Sequence, residues 1–148
     1  MKNVFLFTLA FFAWTLTASA QSIAVRDSLL KKLNTLPVTA NDTTRVNVLY
    51  ALAYQYYLNK PDTTYLLAQQ AYELAQRLNY SQGQARALVV MASAFGQLGD
   101  YAKALKILNQ AKQLFIKLND PTRIAAVLSN TAYLYMLQGE WQKGLEAV

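Results

Sequence analysis

The chain has 148 residues, 54% of them hydrophobic, with 14 Lys and Arg against 8 Asp and Glu, and it contains no His or Cys. The missing residue types exclude a cysteine nucleophile, a histidine general base, disulfides and most transition-metal ligation. The basic residues are scattered along the chain, so the net charge of +6 indicates an ordinary solvated surface and not a nucleic-acid interface.

The first twenty residues predict a secretory signal peptide. Lys2 gives a short positive start, Val4 to Leu16 is an apolar-to-neutral run, and the small residues Ala18-Ser19-Ala20 follow it. We therefore expect cleavage at the Ala20–Gln21 bond and a periplasmic or secreted protein. The alternative is an uncleaved membrane anchor, because the next charged residue is Arg26, although polar residues interrupt the run before the about 20 apolar residues that a span needs.

Residues 21–42 are predicted to form an N-terminal amphipathic helix and a linker. Leucines at positions 29, 30, 33 and 36 fall on one side of a helix from Arg26 to Leu36, and the segment from Pro37 to Asn41 ends it. We expect this helix to cap the structure that follows, whose own first helix would begin after an N-cap at Asn41 or Asp42.

A forty-residue pattern recurs along the remainder of the chain. Four residues return unchanged and two aromatic positions return as other aromatics: Ala92, Gly99, Lys103 and Leu105 as Ala132, Gly139, Lys143 and Leu145, and Phe95 and Tyr101 as Tyr135 and Trp141. Self-similarity of this kind is typical of stacked-repeat proteins. It predicts an array over 43–148 with units 43–82, 83–121 and 122–148. Since the last unit is incomplete, we expect the chain to be a fragment whose C-terminal end frays or self-associates.

Turn signals divide each unit into two helices of about fifteen residues. Gly99-Asp100 and Gly139-Glu140 predict tight turns, Pro61-Asp62 a break and Asn79 to Gln82 a loop, while Asp120-Pro121 places a capping carboxylate before a proline at the first helical position. The first helix of each unit carries apolar residues at helical spacing: Leu49, Leu52, Ala53, Tyr56; Leu88, Met91, Ala92, Phe95; Leu128, Thr131, Ala132, Tyr135. The small residue in each set predicts a close helix crossing.

The second unit resembles the tetratricopeptide repeat. The resemblance lies in Leu88, Met91-Ala92, Phe95, the Gly99-Asp100-Tyr101 turn, Ala104, Leu108 and Ala111. It implies an all-α fold, a right-handed α-solenoid of stacked antiparallel helical hairpins. The first unit departs from the pattern at Lys60-Pro61-Asp62 and Thr64, and the period is forty instead of about 34, which longer second helices reaching Leu78 and Leu118 would explain. A HEAT-like array is the alternative with an overlapping period, but the Gly-Asp-Tyr turn speaks against it.

Arrays of the tetratricopeptide type bind partners in a groove lined by their first helices. The resemblance places these candidates in that groove: Asn47, Tyr50, Tyr54, Tyr57, Arg86, Val89, Ser93, Gly96, Ala126, Ser129, Tyr133 and Met136. Tyrosine suits recognition surfaces, although any one of these tyrosines could equally complete the packing between helices. The family's clamp for terminal carboxylates uses Lys and Asn where Tyr50 and Tyr54 stand here, so recognition of chaperone tails is not expected.

The resulting prediction is an exported scaffold that binds a protein or peptide and has no catalytic activity, cofactor, metal or nucleic-acid partner. The alternative is the extracytoplasmic sensory region of a larger signalling protein. The chain resembles the exported input regions of bacterial sensor histidine kinases and related regulators. The features that carry this resemblance are the signal peptide, the leading helix, the segment from Asp42 to Arg45 and the long-period repeats. Membrane attachment and catalytic parts would then lie beyond residue 148.

Overall fold

The computed structural model describes residues 21–37 and 43–148, and these form helices joined by short turns. The elements are α1 (residues 21–35), α2 (Thr44–Tyr56), α3 (Pro61–Arg77), α4 (Ser81–Gln97), α5 (Tyr101–Lys117), α6 (Pro121–Leu137) and α7 (Trp141–Glu146). From α2 onward each helix packs against the next. The prediction of an all-α solenoid of helical hairpins is confirmed. The predicted signal peptide lies outside the described residues, as do Asn41 and Asp42. The prediction that one of these two caps α2 is wrong, because α2 begins at Thr44 and its N-cap is Thr43.

Equal helix lengths produce the forty-residue period. Helices α3, α4, α5 and α6 each have 17 residues, and the connections 78–80, 98–100 and 118–120 join them. The period therefore exceeds the about 34 residues of the tetratricopeptide repeat because both helices of a hairpin are long, and not the second helix alone. The predicted loop from Asn79 to Gln82 is wrong at its end, because the chain reverses at Asn79 and α4 already begins at Ser81.

The same turn geometry closes four successive helices. One residue in each connection has a positive φ: Asn79 at 52°, Gly99 at 81°, Asn119 at 52° and Gly139 at 77°. The next residue donates its N–H to the carbonyl five positions back, as Tyr80 does to Ala75 at 2.8 Å and Asp100 to Phe95 at 3.0 Å. This is the Schellman arrangement, which Gly adopts freely and Asn tolerates. The turn thus recurs every half period.

Small residues allow the helices to approach closely. Ala53, Ala92 and Ala132 are 0%, 1% and 8% exposed, as the sequence pattern predicts for helix crossings. A Cβ added to Gly144 would lie 3.2 Å from the carbonyl oxygen of Ala132, so α6 and α7 meet almost backbone to backbone. Thr64, which replaces an expected alanine, is fully buried, and its hydroxyl donates to the carbonyl of Lys60 at 3.0 Å.

A contact between a lysine and an aromatic ring occurs in each hairpin. A lysine from the turn or the second helix lies over the ring that ends the first helix: Lys60 over Tyr56 at 5.8 Å, Lys103 over Phe95 at 4.0 Å and Lys143 over Tyr135 at 5.9 Å from the centroid. The alkyl chain and ammonium group cover an aromatic face at the end of the helix. In the second and third hairpins the contact joins residues that recur with the period, Lys103 with Phe95 and Lys143 with Tyr135, whereas Lys60 reaches its ring from a different position in the turn.

At its N-terminal end the array carries α1, which is helical from residue 21 and not only from Arg26. Arg45 Nη1 donates to the carbonyls of Leu33 at 3.2 Å and Leu36 at 3.0 Å, and Leu33 packs against the adjoining core. Leu30 is 36% exposed and does not share the packed side that the sequence predicted. Helix α1 therefore caps α2 mainly through its C-terminal half.

At the other end α7 is six residues long. Its ion pair between Glu140 and Lys143 raises the pKa of the lysine above its usual value, through the hydrogen bond and then the charge of Glu140. A cavity of about 560 Å3 opens between α5, α6 and α7. Helix α6 consequently has less cover than α4, which packs against a helix of full length on both sides.

Candidate binding site

Helices α2, α4 and α6 form one face of the solenoid, the even-helix face. Helices α2 and α4 are in direct contact. A Cβ added to Gly96 on α4 would lie 2.9 Å from Cδ2 of Leu134 on α6, so these two helices also touch. The residues that the sequence analysis assigned to the groove lie on α2, α4 and α6 or on the turn after α2. The structure separates them into two neighbouring sites.

The larger site is a cavity of about 470 Å3, here called the tyrosine pocket. It is lined by Tyr57, Leu58, Ala92, Ser93, Gly96, Gln97, Leu108, Asn130, Tyr133, Leu134 and Leu137. Of the predicted residues it includes Tyr57, Ser93, Gly96 and Tyr133. Its size falls within the about 300–1,000 Å3 that is usual for ligand sites.

The chemistry of the tyrosine pocket is apolar with a few neutral polar groups. Among the residues that the structure describes, those lining it include no Asp, Glu, Lys or Arg. Small residues of α4, such as Ser93 and Gly96, lie between the tyrosines that come from the two neighbouring hairpins. Its neutral polar groups include the amides of Gln97 and Asn130. Such a lining can accept an uncharged apolar group and hydrogen-bond a peptide beside it.

The rim of the pocket exposes large hydrophobic side chains. Leu58 is 68% exposed, Tyr133 60% and Leu137 45%. Single exposed apolar residues are ordinary, but several around one cavity indicate an interaction surface. The apolar pattern of the sequence does not reveal Leu58 and Leu137, because both lie at helix ends outside the repeated stripe.

Contacts around Tyr57 hold one wall of the pocket in place. The rings of Tyr54 and Tyr57 stack with centroids 5.4 Å apart and planes 20° apart. Gln97 Nε2 donates to the Tyr57 carbonyl across the interface between the first two units. Tyr54 itself is 55% exposed, so it supports Tyr57 from the solvent side.

The second site, here called the arginine cleft, lies toward the N-terminal ends of α4 and α6. It is a cavity of about 50 Å3 lined by Tyr50, Arg86, Val89, Phe115, Arg123, Ala126 and Val127. The Arg86 guanidinium lies 4.0 Å from the centroid of the Tyr50 ring, and its Nη1 donates to Asn47 Oδ1 at 3.2 Å. Tyr50, Asn47 and Arg86 therefore have a structural role in addition to any contact with a ligand.

Four predicted residues line neither cavity: Asn47 and Tyr54, which contact Arg86 and Tyr57 as described above, and Ser129 and Met136. Ser129 is exposed and its hydroxyl donates to the carbonyl of Ala125 at 3.0 Å, while Met136 is 45% exposed. Both lie on α6, the last of the three described helices of the even-helix face. The hydroxyl of Ser93 likewise donates within its own helix, to Val89 at 3.0 Å, so in the pocket it contributes mainly a small volume.

Within residues 21–37 and 43–148, no group of three or more acidic residues is arranged to hold a metal ion. The described helices include none that is both long and apolar enough to cross a membrane. No protein-family model matches the chain, and comparison with curated proteins finds no significant relative. The geometry of the even-helix face is therefore the basis for any functional assignment.

Proposed function

We propose that this protein is a binding scaffold that holds an extended protein or peptide segment across its even-helix face and catalyses no reaction itself. The tyrosine pocket carries the proposal. Side chains from three successive hairpins converge at this cavity, as they do at the smaller arginine cleft, and exposed apolar residues surround it. A stacked array offers such surfaces because each repeat adds a helix to the same face.

We further propose that the array is of the tetratricopeptide type. The repeated Gly-Asp or Gly-Glu turns and the buried Ala92, Ala104 and Ala111 support this assignment. Export through the N-terminal segment belongs to the same proposal. An exported protein would bind its partner outside the cytoplasm, where the partner is a free segment or part of a larger assembly.

A peptide-display selection tests the proposal. Random peptides are selected on the protein, and the enriched sequences are resynthesised and measured with two variants. Gly96→Leu places a side chain in the tyrosine pocket, and Tyr133→Ala removes an exposed wall. We expect each to raise the Kd about tenfold or more, since truncating or blocking a central anchor costs about 2 kcal/mol.

Trp141→Ala is the matched control, because it removes an aromatic side chain of similar exposure, 61%, from α7 instead of the even-helix face. Circular dichroism establishes that each variant retains its helices. The proposal fails if no peptide is enriched. It also fails if enriched peptides bind the two pocket variants as well as they bind the unmodified protein.

A further inference from the structure

The charged residues on the helices of the even-helix face are all arginines, whereas those of α5 are all lysines and α3 carries both signs. Helices α2, α4 and α6 carry Arg45, Arg86 and Arg123 and contain no Asp or Glu. Arg45 is bonded to α1, whereas Arg86 and Arg123 both line the arginine cleft. The face that is proposed to receive a ligand thus has a cationic end and an uncharged apolar end.

Neither cleft arginine is fully neutralised. Arg86 is half-buried, its hydrogen-bond partner Asn47 is uncharged, and its buried Nε has no partner among the described residues. Arg123 Nε lies 3.8 Å from Asp120 Oδ2, and its side chain remains 42% exposed. Asp120 also accepts from the backbone N–H of Arg123 as the cap of α6, at 3.0 Å. Guanidinium groups in this condition favour an added carboxylate, with which they form charge-assisted hydrogen bonds.

The distance between the two sites fixes the spacing of a ligand. Arg86 and Ser93 mark the arginine cleft and the tyrosine pocket on α4, and two turns of helix separate them by about 10 Å. An extended peptide advances about 3.3–3.6 Å per residue, so about three residues cover this distance. A ligand lying along α4 can therefore reach both sites at once.

Resting on the proposed function, we infer that the protein recognises a peptide segment in which an acidic side chain lies about three residues from a large apolar one. The apolar side chain occupies the tyrosine pocket. The acidic side chain is bound at the arginine cleft by Arg86 and Arg123. Charge complementarity selects this occupant, because α4 and α6 offer Arg86 and Arg123 and no carboxylate of their own, and the pairing with Asp120 at the cap of α6 leaves the Arg123 side chain 42% exposed.

The selection described above tests this inference when the displayed peptides are blocked at their C-termini. Because about three extended residues span the distance between the two sites, we expect Asp or Glu to be enriched two to four positions from an aromatic or branched apolar residue. Replacing the acid by its amide in a synthetic, amidated peptide should weaken binding about tenfold, the loss of one charge-assisted contact. The ratio of the Kd values of the amide and acid peptides should be smaller for Arg86→Gln and for Arg123→Gln than for the unmodified protein. It should be unchanged for Lys106→Gln, which removes an exposed charge on α5.

Arg86→Gln also removes the hydrogen bond to Asn47, so it can weaken binding through a purely structural effect. Arg123→Gln, which leaves that bond in place, and the peptide without the acid are the references that identify such an effect. Enrichment of apolar residues without an acid overturns the inference and leaves the proposed function standing. An equal loss in all three variants also overturns it. The absence of any enriched peptide overturns the proposed function itself.

Discussion

Arg86 Nη1 donates to Asn47 Oδ1 at 3.2 Å, and this hydrogen bond joins equivalent faces of the first helices in two successive repeats, 39 residues apart. The Tyr50 ring lies against the same guanidinium at 4.0 Å. The contact links the stacking of repeats to the cationic end of the even-helix face. A change here should therefore affect both stability and ligand binding.

Asn47→Ala should destabilise the protein by about 1–3 kcal/mol, because it leaves a half-buried donor of Arg86 without its acceptor. Urea denaturation measures this as a lower midpoint with an unchanged slope. Asn109→Ala is the control, since Asn109 is exposed on α5 and alanine favours helix there. Equal midpoints for Asn47→Ala and the unmodified protein would show that the bond contributes nothing to stacking.

Ala92→Leu should destabilise by about 1–3 kcal/mol, because added methylenes cannot be accommodated at a crossing where the side chain is 1% exposed. Ala102→Leu on the exposed side of α5 is the matched control. Thermal unfolding measures the melting temperature of both variants, which should fall for Ala92→Leu and stay close to that of the unmodified protein for Ala102→Leu. An unchanged melting temperature for Ala92→Leu would contradict close packing at this position.

Gly99→Ala should cost about 1 kcal/mol, because a Cβ is strained at a φ of +81° even though nothing lies within 4 Å of it. Gly99→Asn should cost less, since Asn79 and Asn119 occupy the corresponding turn position with a φ of 52°. Denaturation midpoints should rank Gly first, Asn second and Ala last. Alanine ranking level with glycine would exclude the backbone explanation.

Amide exchange should be faster in α6 and α7 than in α4 and α5. Helix α6 buries Val127, Ala132 and Leu134, fewer residues than α4, and helices with fewer buried contacts open more readily. Hydrogen exchange resolved by mass spectrometry measures this along the chain. Equal protection over 121–146 and 81–117 would mean that short α7 covers α6 as well as a full helix does.

Most of the fold followed from the sequence because repetition makes local signals reinforce one another. The turns at Gly99 and Gly139 could be predicted, since glycine marks a left-handed residue directly. At Asn79 the sequence predicts a longer loop instead of the equivalent turn, because asparagine also occurs in many other turn positions. Its role becomes evident when the twenty-residue half period is recognised.

The site could be predicted only in part. Helical register and the family resemblance place Tyr57, Ser93 and Tyr133 on one face. Register alone does not show which side chains of that face meet around a cavity. Leu137 and Asn130 were missed because they contribute through the stacking of neighbouring hairpins. The pairing of Arg86 with Asn47 depends in the same way on how one repeat sits on the next.

Backbone amide chemical shifts test the central claim most directly, because they report where a selected peptide binds without any mutation. In a titration, we expect the largest changes at residues of the tyrosine pocket such as Ser93, Gly96 and Tyr133, with those near Arg86 changing over the same concentration range. Exposed residues of α3 and α5, such as Glu73 and Gln110, should stay unchanged. Largest changes on α3 or α5, with the even-helix face unaffected, would contradict the account.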